Sequence, residues 1–108
     1  MVLGSPYATV KQAIIDKDSI AADYDEHHRE MSPHVIGIKE GSEQALFYQY
    51  AGTSKSGPLS PIGSPDNWRC FVIGRLQNVR VIKGVFHTAP RHTQRQTCVD
   101  TIDVEIAY

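Results

Sequence analysis

Three arginines carry the strongest chemical signal in this 108-residue chain. Arg69 and Arg75 flank one apolar run, and Arg29 opens another. A guanidinium is a planar fork of donors that matches a phosphate or carboxylate bidentately. With Tyr24 or Trp68 beside it, such a fork can hold a phosphate while an aromatic face stacks a base. His34, directly after Pro33, is the histidine best placed to line a pocket. The competing reading pairs the arginines with Asp23, Asp25 or Glu30 across strands, where ion pairs only brace the sheet.

Other chemistries have weaker support. His87, His92 and Cys98 are three loosely spaced candidates for zinc, short of the four closely paired ligands of a structural site. No metal and no cofactor are therefore expected. The same three side chains could form a thiol–imidazole hydrolase, but no general-base constellation accompanies them, and the chain is not expected to be an enzyme. His27 and His28 fall in a polar turn. The serines between Thr53 and Ser64 lack the Gly-x-Ser-x-Gly elbow. Gly52 to Gly57 lacks the Gly-Lys-Ser/Thr ending of a phosphate loop. Asp100, Asp103 and Glu105 read as the solvated face of a strand rather than a hard-cation site.

Composition narrows the partners. Eleven Lys and Arg stand against twelve Asp and Glu, a net charge of −1, so no basic field recruits nucleic acid and any polyanion must be held by a local arginine cluster. At 41% hydrophobic residues, the chain fills one core, and a single domain over residues 1–108 is expected. No run approaches the ~20 apolar residues of a membrane span, and Met1 to Ala13 does not read as a signal peptide. Cys70 and Cys98, in strand-like segments, are expected to be buried free thiols. A cytoplasmic, bacterial setting is the matching expectation.

The elements that must position these residues are mostly strands. Thr9-x-x-Gln12 has capping-box form, and Val10, Ala13 and Ile14 follow at helical spacing, which predicts one short N-terminal helix ended by Asp16 to Asp18. Ile20, Ala22 and Tyr24 alternate with polar or small residues, predicting a half-buried strand. An extended segment over Arg29 to Ile38 contains Pro33, which implies an edge or a bulge. Lys39 to Ser42 predicts a hairpin turn. The aromatic run from Gln44 to Ala51 predicts a central strand. Residues 52–67 form a long breaker-rich loop, read as a flexible lid. Strands are predicted at Trp68 to Ile73 and Val79 to Ile82, with an extra C-terminal strand at about 98–107. Five to six strands and one helix predict a mainly β fold, closed as a small barrel that removes its edges.

From about residue 10 to 86 the order of features resembles the WYL domain of bacterial regulators. The resemblance rests on Ala13-Ile14, Ile20 to Tyr24, Arg29-x-x-x-Pro33, Val35 to Ile38, Glu40-Gly41-Ser42, and Ala45 to Tyr50. Its most specific part is Arg69-Cys70-Phe71-Val72-Ile73-Gly74-Arg75-Leu76, followed by Asn78 to Val81. Ala45-Leu46-Phe47 stands in place of Trp-Tyr-Leu, Val72 in place of a basic residue and Gly74 in place of an acid. The family's helix-turn-helix has no counterpart, and the family has none for the tail after Thr88. The resemblance implies an SH3/Sm-like barrel that senses a ligand, often nucleic acid or a nucleotide, through Tyr24, Arg29, Arg69 and Arg75.

Two readings of function follow. The first is a stand-alone ligand-binding or regulatory module for a nucleotide, a single-stranded oligonucleotide or another small anion, with Tyr24, Arg29, His34, Trp68, Arg69 and Arg75 at the site. The second is a structural subunit whose barrel face forms a homodimer or docks a partner protein.

Overall fold

A computed structural model describes residues 5–53, 59–62, 64–88 and 98–106. The chain opens with helix α1, Pro6–Asp16. It begins earlier than the Thr9 signal because Ser5 is the N-cap, its Oγ accepting the Ala8 N–H at 3.1 Å, with Pro6 in the first turn. Proline's preset φ and missing N–H suit that position, so Ser-Pro starts the helix ahead of the Thr9 capping box. Gln12 donates instead along the helix to Asp16 at 3.1 Å. Lys17 then turns left-handed (φ 56°), and the Asp18 N–H reaches back to the Ala13 carbonyl at 2.9 Å, the Schellman ending. Val10, Ala13 and Ile14 form the buried face, as their spacing predicts.

Two hairpins build the sheet. Strand β1, Ser19–Tyr24, turns through Asp25 and Glu26, both left-handed (φ 50° and 66°), into β2, His27–Lys39. That two-residue turn matches the right-handed twist of the strands, and it places His27 and His28 on β2 rather than in a polar turn. Glu40 and Gly41 (φ 50° and 82°) repeat the device before β3, Ser42–Gly52. The ladder between β2 and β3 shifts register between Pro33 and Val35, so Pro33 sits at a bulge in a long inner strand. A 3₁₀ turn at Pro65–Asn67 leads into β4, Trp68–Val72, and a second at Ile73–Arg75 leads into β5, Gln77–Ile82. Strand β6, Thr101–Glu105, is last.

All pairings are antiparallel, in the order β4-β3-β2-β1-β5. One edge of β2 is shared: its first half pairs with β1, and Val35 to Ile38 pair with β6. The mainly β fold with one helix is as the sequence predicts, and β3 is central. No ladder joins β4 to β5 among the described residues, so the sheet is open where closure was expected. It is nonetheless strongly curled. Three strand spacings separate β4 from β1, about 14 Å if flat, yet the Tyr24 and Phe71 rings meet at 4.1 Å between centroids.

Curling gives the sheet two apolar faces. Inside lie Ile20, Ala22, Met31, Ile36, Ala45, Phe47, Phe71, Ile73 and Leu76, sealed by α1. Outside, a smaller cluster of Val35, Leu46, Cys98 and Val99 packs against Trp68. Ser19 and Ala21, predicted to face solvent, are buried too, and the Ser19 hydroxyl reaches the Val85 carbonyl at 2.5 Å. Ile102, predicted to face inward on β6, is 46% exposed. The cysteines depart from expectation as well: Cys70 and Cys98 are joined by a disulfide, with Cα atoms 5.3 Å apart. Alternation points Cys70 outward beside Leu46, toward the segment that feeds β6, which a reading of isolated strands could not foresee. No helix among the described residues is long and apolar enough to cross a membrane.

Candidate functional site

Arg29 is the centre of the inner-face polar cluster. It is 2% exposed, and its guanidinium lies 4.9 Å from the Phe71 ring centroid and 5.8 Å from that of Tyr24. Nε donates to the Tyr24 carbonyl at 3.3 Å and one terminal nitrogen donates to Gln49 Oε1 at 3.1 Å. Gln49, fully buried, is itself fixed by donating to the carbonyls of Ala51 and Thr53 at 3.2 and 2.8 Å. The backbone beside Arg29 is drawn tight at Gly52 (φ 93°), where a Cβ would lie 2.1 Å from the His28 carbonyl oxygen. Only glycine fits there.

Arg69 reaches the same face from β4, opposite Phe47 and two residues before Phe71. One terminal nitrogen donates to the carbonyls of Asp66 and Trp68 at 2.7 and 3.0 Å. Its Nε is buried with no hydrogen-bond partner among the described residues. Burial lowers the proton affinity of Arg29, and the neighbouring positive charge of Arg69 lowers it further. Burial also lowers that of Arg69. Both stay charged, since arginine does not deprotonate in proteins. Neither forms an ion pair with a carboxylate among the described residues.

Arg75 is different. It is exposed, paired with Asp25, and laid over the outer side of the Tyr24 ring at 4.9 Å. Beside it opens a cleft of about 480 Å³ lined by Asp23, Tyr24, Asp25, Glu26 and Arg75. Three carboxylates on that wall repel an anion, and Asp25 already neutralises Arg75. Tyr24 touches both environments: Arg29 and Arg75 lie 5.8 and 4.9 Å from its ring centroid, and its hydroxyl accepts the Val72 N–H at 3.2 Å.

The six residues singled out from sequence thus form two groups. Tyr24 and Arg29 pack on Phe71, Arg69 neighbours Arg29, and Arg75 reaches the group only through the Tyr24 ring. Trp68 and His34 meet on the opposite face of the sheet, edge to face at 4.7 Å. His34 is wholly buried, its Nδ1 donating to the Ser32 carbonyl at 2.8 Å and its Nε2 3.1 Å from the Thr88 hydroxyl, with Phe86 against its ring at 4.8 Å. Two site residues were missed. Gln49 could have been found as the polar residue in the aromatic strand, and Phe71 from its i, i+2 spacing to Arg69.

The remaining candidates hold ordinary structural places. The His87 ring packs on Tyr50 at 4.3 Å, and the His87 backbone N–H donates to Ser32 Oγ at 2.9 Å. His92 lies outside the described residues, as do positions 54–58 and 63 of the loop read as a lid. Asn67 pins the described part of that loop through paired bonds to the backbone of Ser60, at 3.0 and 2.8 Å. Cys98, bound to Cys70, is not available as a nucleophile. No group of three or more metal-type side chains occurs among the described residues. Asp103 accepts from Tyr7 at 2.6 Å and pairs with Lys11 at 3.2 Å, which uses its charge to hold α1 against β6. No family model, curated protein or solved structure matches this chain.

Proposed function

We propose that the chain is a WYL-like ligand-binding module that holds a phosphate-type anion, from a nucleotide or a single strand, at Arg29 and Arg69. One observation carries this reading: two neighbouring guanidiniums on the inner face are desolvated, and no carboxylate among the described residues is paired with either. A buried charge opposes folding unless an opposite charge answers it; Asp25 and Asp66 do so only from beyond ion-pair distance, and an anion bridging both forks would answer it directly. Phe71 and Tyr24 supply the aromatic surface beside it. Arg75, neutralised by Asp25, is a rim residue. Trp68 and His34 support the strand from behind.

The test is fluorescence titration of a labelled single-stranded oligonucleotide, and of a nucleoside triphosphate as competitor, over a range of salt. Binding is expected to weaken with salt, and Arg69→Gln to reduce the slope of log K against log salt by about 0.7. Arg80→Gln, on exposed β5, leaves the slope unchanged. Salt-independent binding, or none to either probe at low salt, refutes the proposal.

The alternative of a structural or self-associating subunit is supported by the open edges of β4 and β5, since unpaired strand edges invite pairing with another chain. A sizing experiment that finds a dimer at all concentrations, with no anion binding, would favour it. The Cys70–Cys98 bond also weighs against a reducing cytoplasm as the site of action.

A further inference from the structure

The disulfide closes a seam that the sheet's own hydrogen bonds hold only lightly. Cys70 is exposed on β4, a strand that among the described residues pairs on one side alone. Cys98 is buried and begins the segment that crosses the outer face to become β6. That segment covers Val35, Leu46 and the inner edge of Trp68 with Val99 and the disulfide itself. Its backbone attachments include the short β2 ladder, the Asp100 N–H to the Ile38 carbonyl at 2.9 Å, and the Ile106 N–H to the His34 carbonyl at 2.7 Å. Farther along, Asp103 holds Tyr7 and Lys11 of α1, and Val104 and Ile106 pack against the larger core, so residues 98–102 are the lightly held part. Its outer residues, Thr101 to Asp103, are exposed. The rest of the sheet, β1 to β3, is joined by longer ladders and buries the larger core on its other face.

We infer that Cys70–Cys98 is a reducible clasp whose opening releases residues 98–102 from the outer face while β1 to β3 stay folded. The reductant is a dithiol, free or carried by a protein. One of its thiolates attacks the exposed Cys70 sulfur, and the S–S bond breaks with the electron pair leaving on Cys98, which takes up a proton. The second thiol of the reductant then displaces Cys70 from the mixed disulfide. Two electrons and two protons pass in total, leaving two cysteine thiols and an oxidised reductant. With the clasp open, Leu46, Val35 and Trp68 lose their cover. The inference stands apart from anion binding and is tested without it.

The experiment compares the full chain before and after dithiothreitol, without denaturant, by thiol alkylation and by amide hydrogen exchange read with mass spectrometry. Expected are alkylation of both cysteines and exchange faster by about tenfold or more in residues 98–102, with the amides of β1, β3 and the first half of β2 unchanged, as for a local opening. Three results overturn the inference. They are a bond that resists the reductant, residues 98–102 that keep their protection when both thiols are alkylated, and acceleration spread evenly over the whole sheet. The Cys70→Ser, Cys98→Ser double variant provides the second arm: a folded chain with fast exchange confined to 98–102 and the β2 residues they pair with supports the clasp, and an unfolded one overturns it.

Discussion

Gly37→Ala is the substitution whose effect follows most directly from geometry. Gly37 lies on β2 where β6 crosses, and its φ is one that alanine can adopt, so backbone strain is not the issue. The added methyl would sit 2.0 Å from the Thr101 carbonyl oxygen and 2.5 Å from Val99 Cγ1. Contact becomes ordinary at 3.4 Å, so β6 must retreat by about 1.4 Å. The nearest obstacle is backbone, and no rotamer change relieves it. A 2.9 Å bond such as Asp100 N–H to Ile38 lengthened by that much no longer counts as a hydrogen bond. Two such bonds at about 1 kcal/mol each, with overpacking of about 1–3 kcal/mol, lower stability by roughly 3–5 kcal/mol if the strand stays docked under strain. For a domain of this size, at about 4 °C per kcal/mol, that is a fall in Tm of about 12–20 °C. Urea unfolding followed by circular dichroism measures it, and hydrogen exchange locates it at residues 98–106. Gly74→Ala, with nothing within 4 Å of the new methyl, is the control. If Gly37→Ala unfolds within about 0.5 kcal/mol of the parent and β6 stays protected, the reasoning about close approach fails.

Two further outcomes are expected. Asp18 accepts the Gly84 N–H at 2.9 Å and pairs with Lys83 at 3.0 Å, and these hold its carboxyl below the usual carboxylate range, the backbone bond contributing most. A depressed folded pKa contributes stability that is full above the unfolded value near 4 and lost as pH falls through the folded one. Asp18→Asn should therefore be less stable at neutral pH and show a shallower acid limb in urea midpoints; an unchanged limb sinks the assignment. Tyr24→Phe removes the acceptor of the Val72 N–H, so stability should drop by about 1–2 kcal/mol while oligonucleotide affinity, which needs the ring and Arg29, holds. Equal stability of the two proteins in chemical denaturation would show that water replaces the hydroxyl.

How legible all this was in the sequence depended on the range of each interaction. The buried face of α1, the central place of β3 and the disruption at Pro33 were readable because periodicity and proline act locally. The helix start was missed because two caps compete within five residues and the Ser-Pro pair prevails over Thr9. Both faces of β1 are buried because residues 85–87 fold over it, a contact 66 residues away that alternation cannot report. The disulfide, across 28 residues, was hidden for the same reason. The arginines were found by type, but their states were not: Arg29 is buried and unpaired, and Arg75 is exposed and paired, because a type I′ turn sends Asp25 to one of them alone.

Strand β4 is where the two proposals meet, and its register decides both. Phe47 faces Arg69 and Ala45 faces Phe71, which sends those two side chains to the inner face with Gln49 and Arg29. The intervening Leu46–Cys70 and Tyr48–Trp68 pairs send cysteine and tryptophan outward, to Cys98 and His34. Because side chains alternate with period two, a slip of one residue would bury Cys70 beside Arg29 and turn Arg69 toward the outer cluster, removing the cation pair and the disulfide together. Hydrogen bonds to β3 alone do not forbid such a slip in an edge strand of five residues. The Tyr24 hydroxyl on the Val72 N–H and the covalent bond at Cys70 do, each from a different face. Removing both, by Tyr24→Phe in the reduced protein, should therefore disorder β4 more than the sum of the single effects. Additive exchange rates across Arg69 to Val72 would show instead that the ladder to β3 is sufficient.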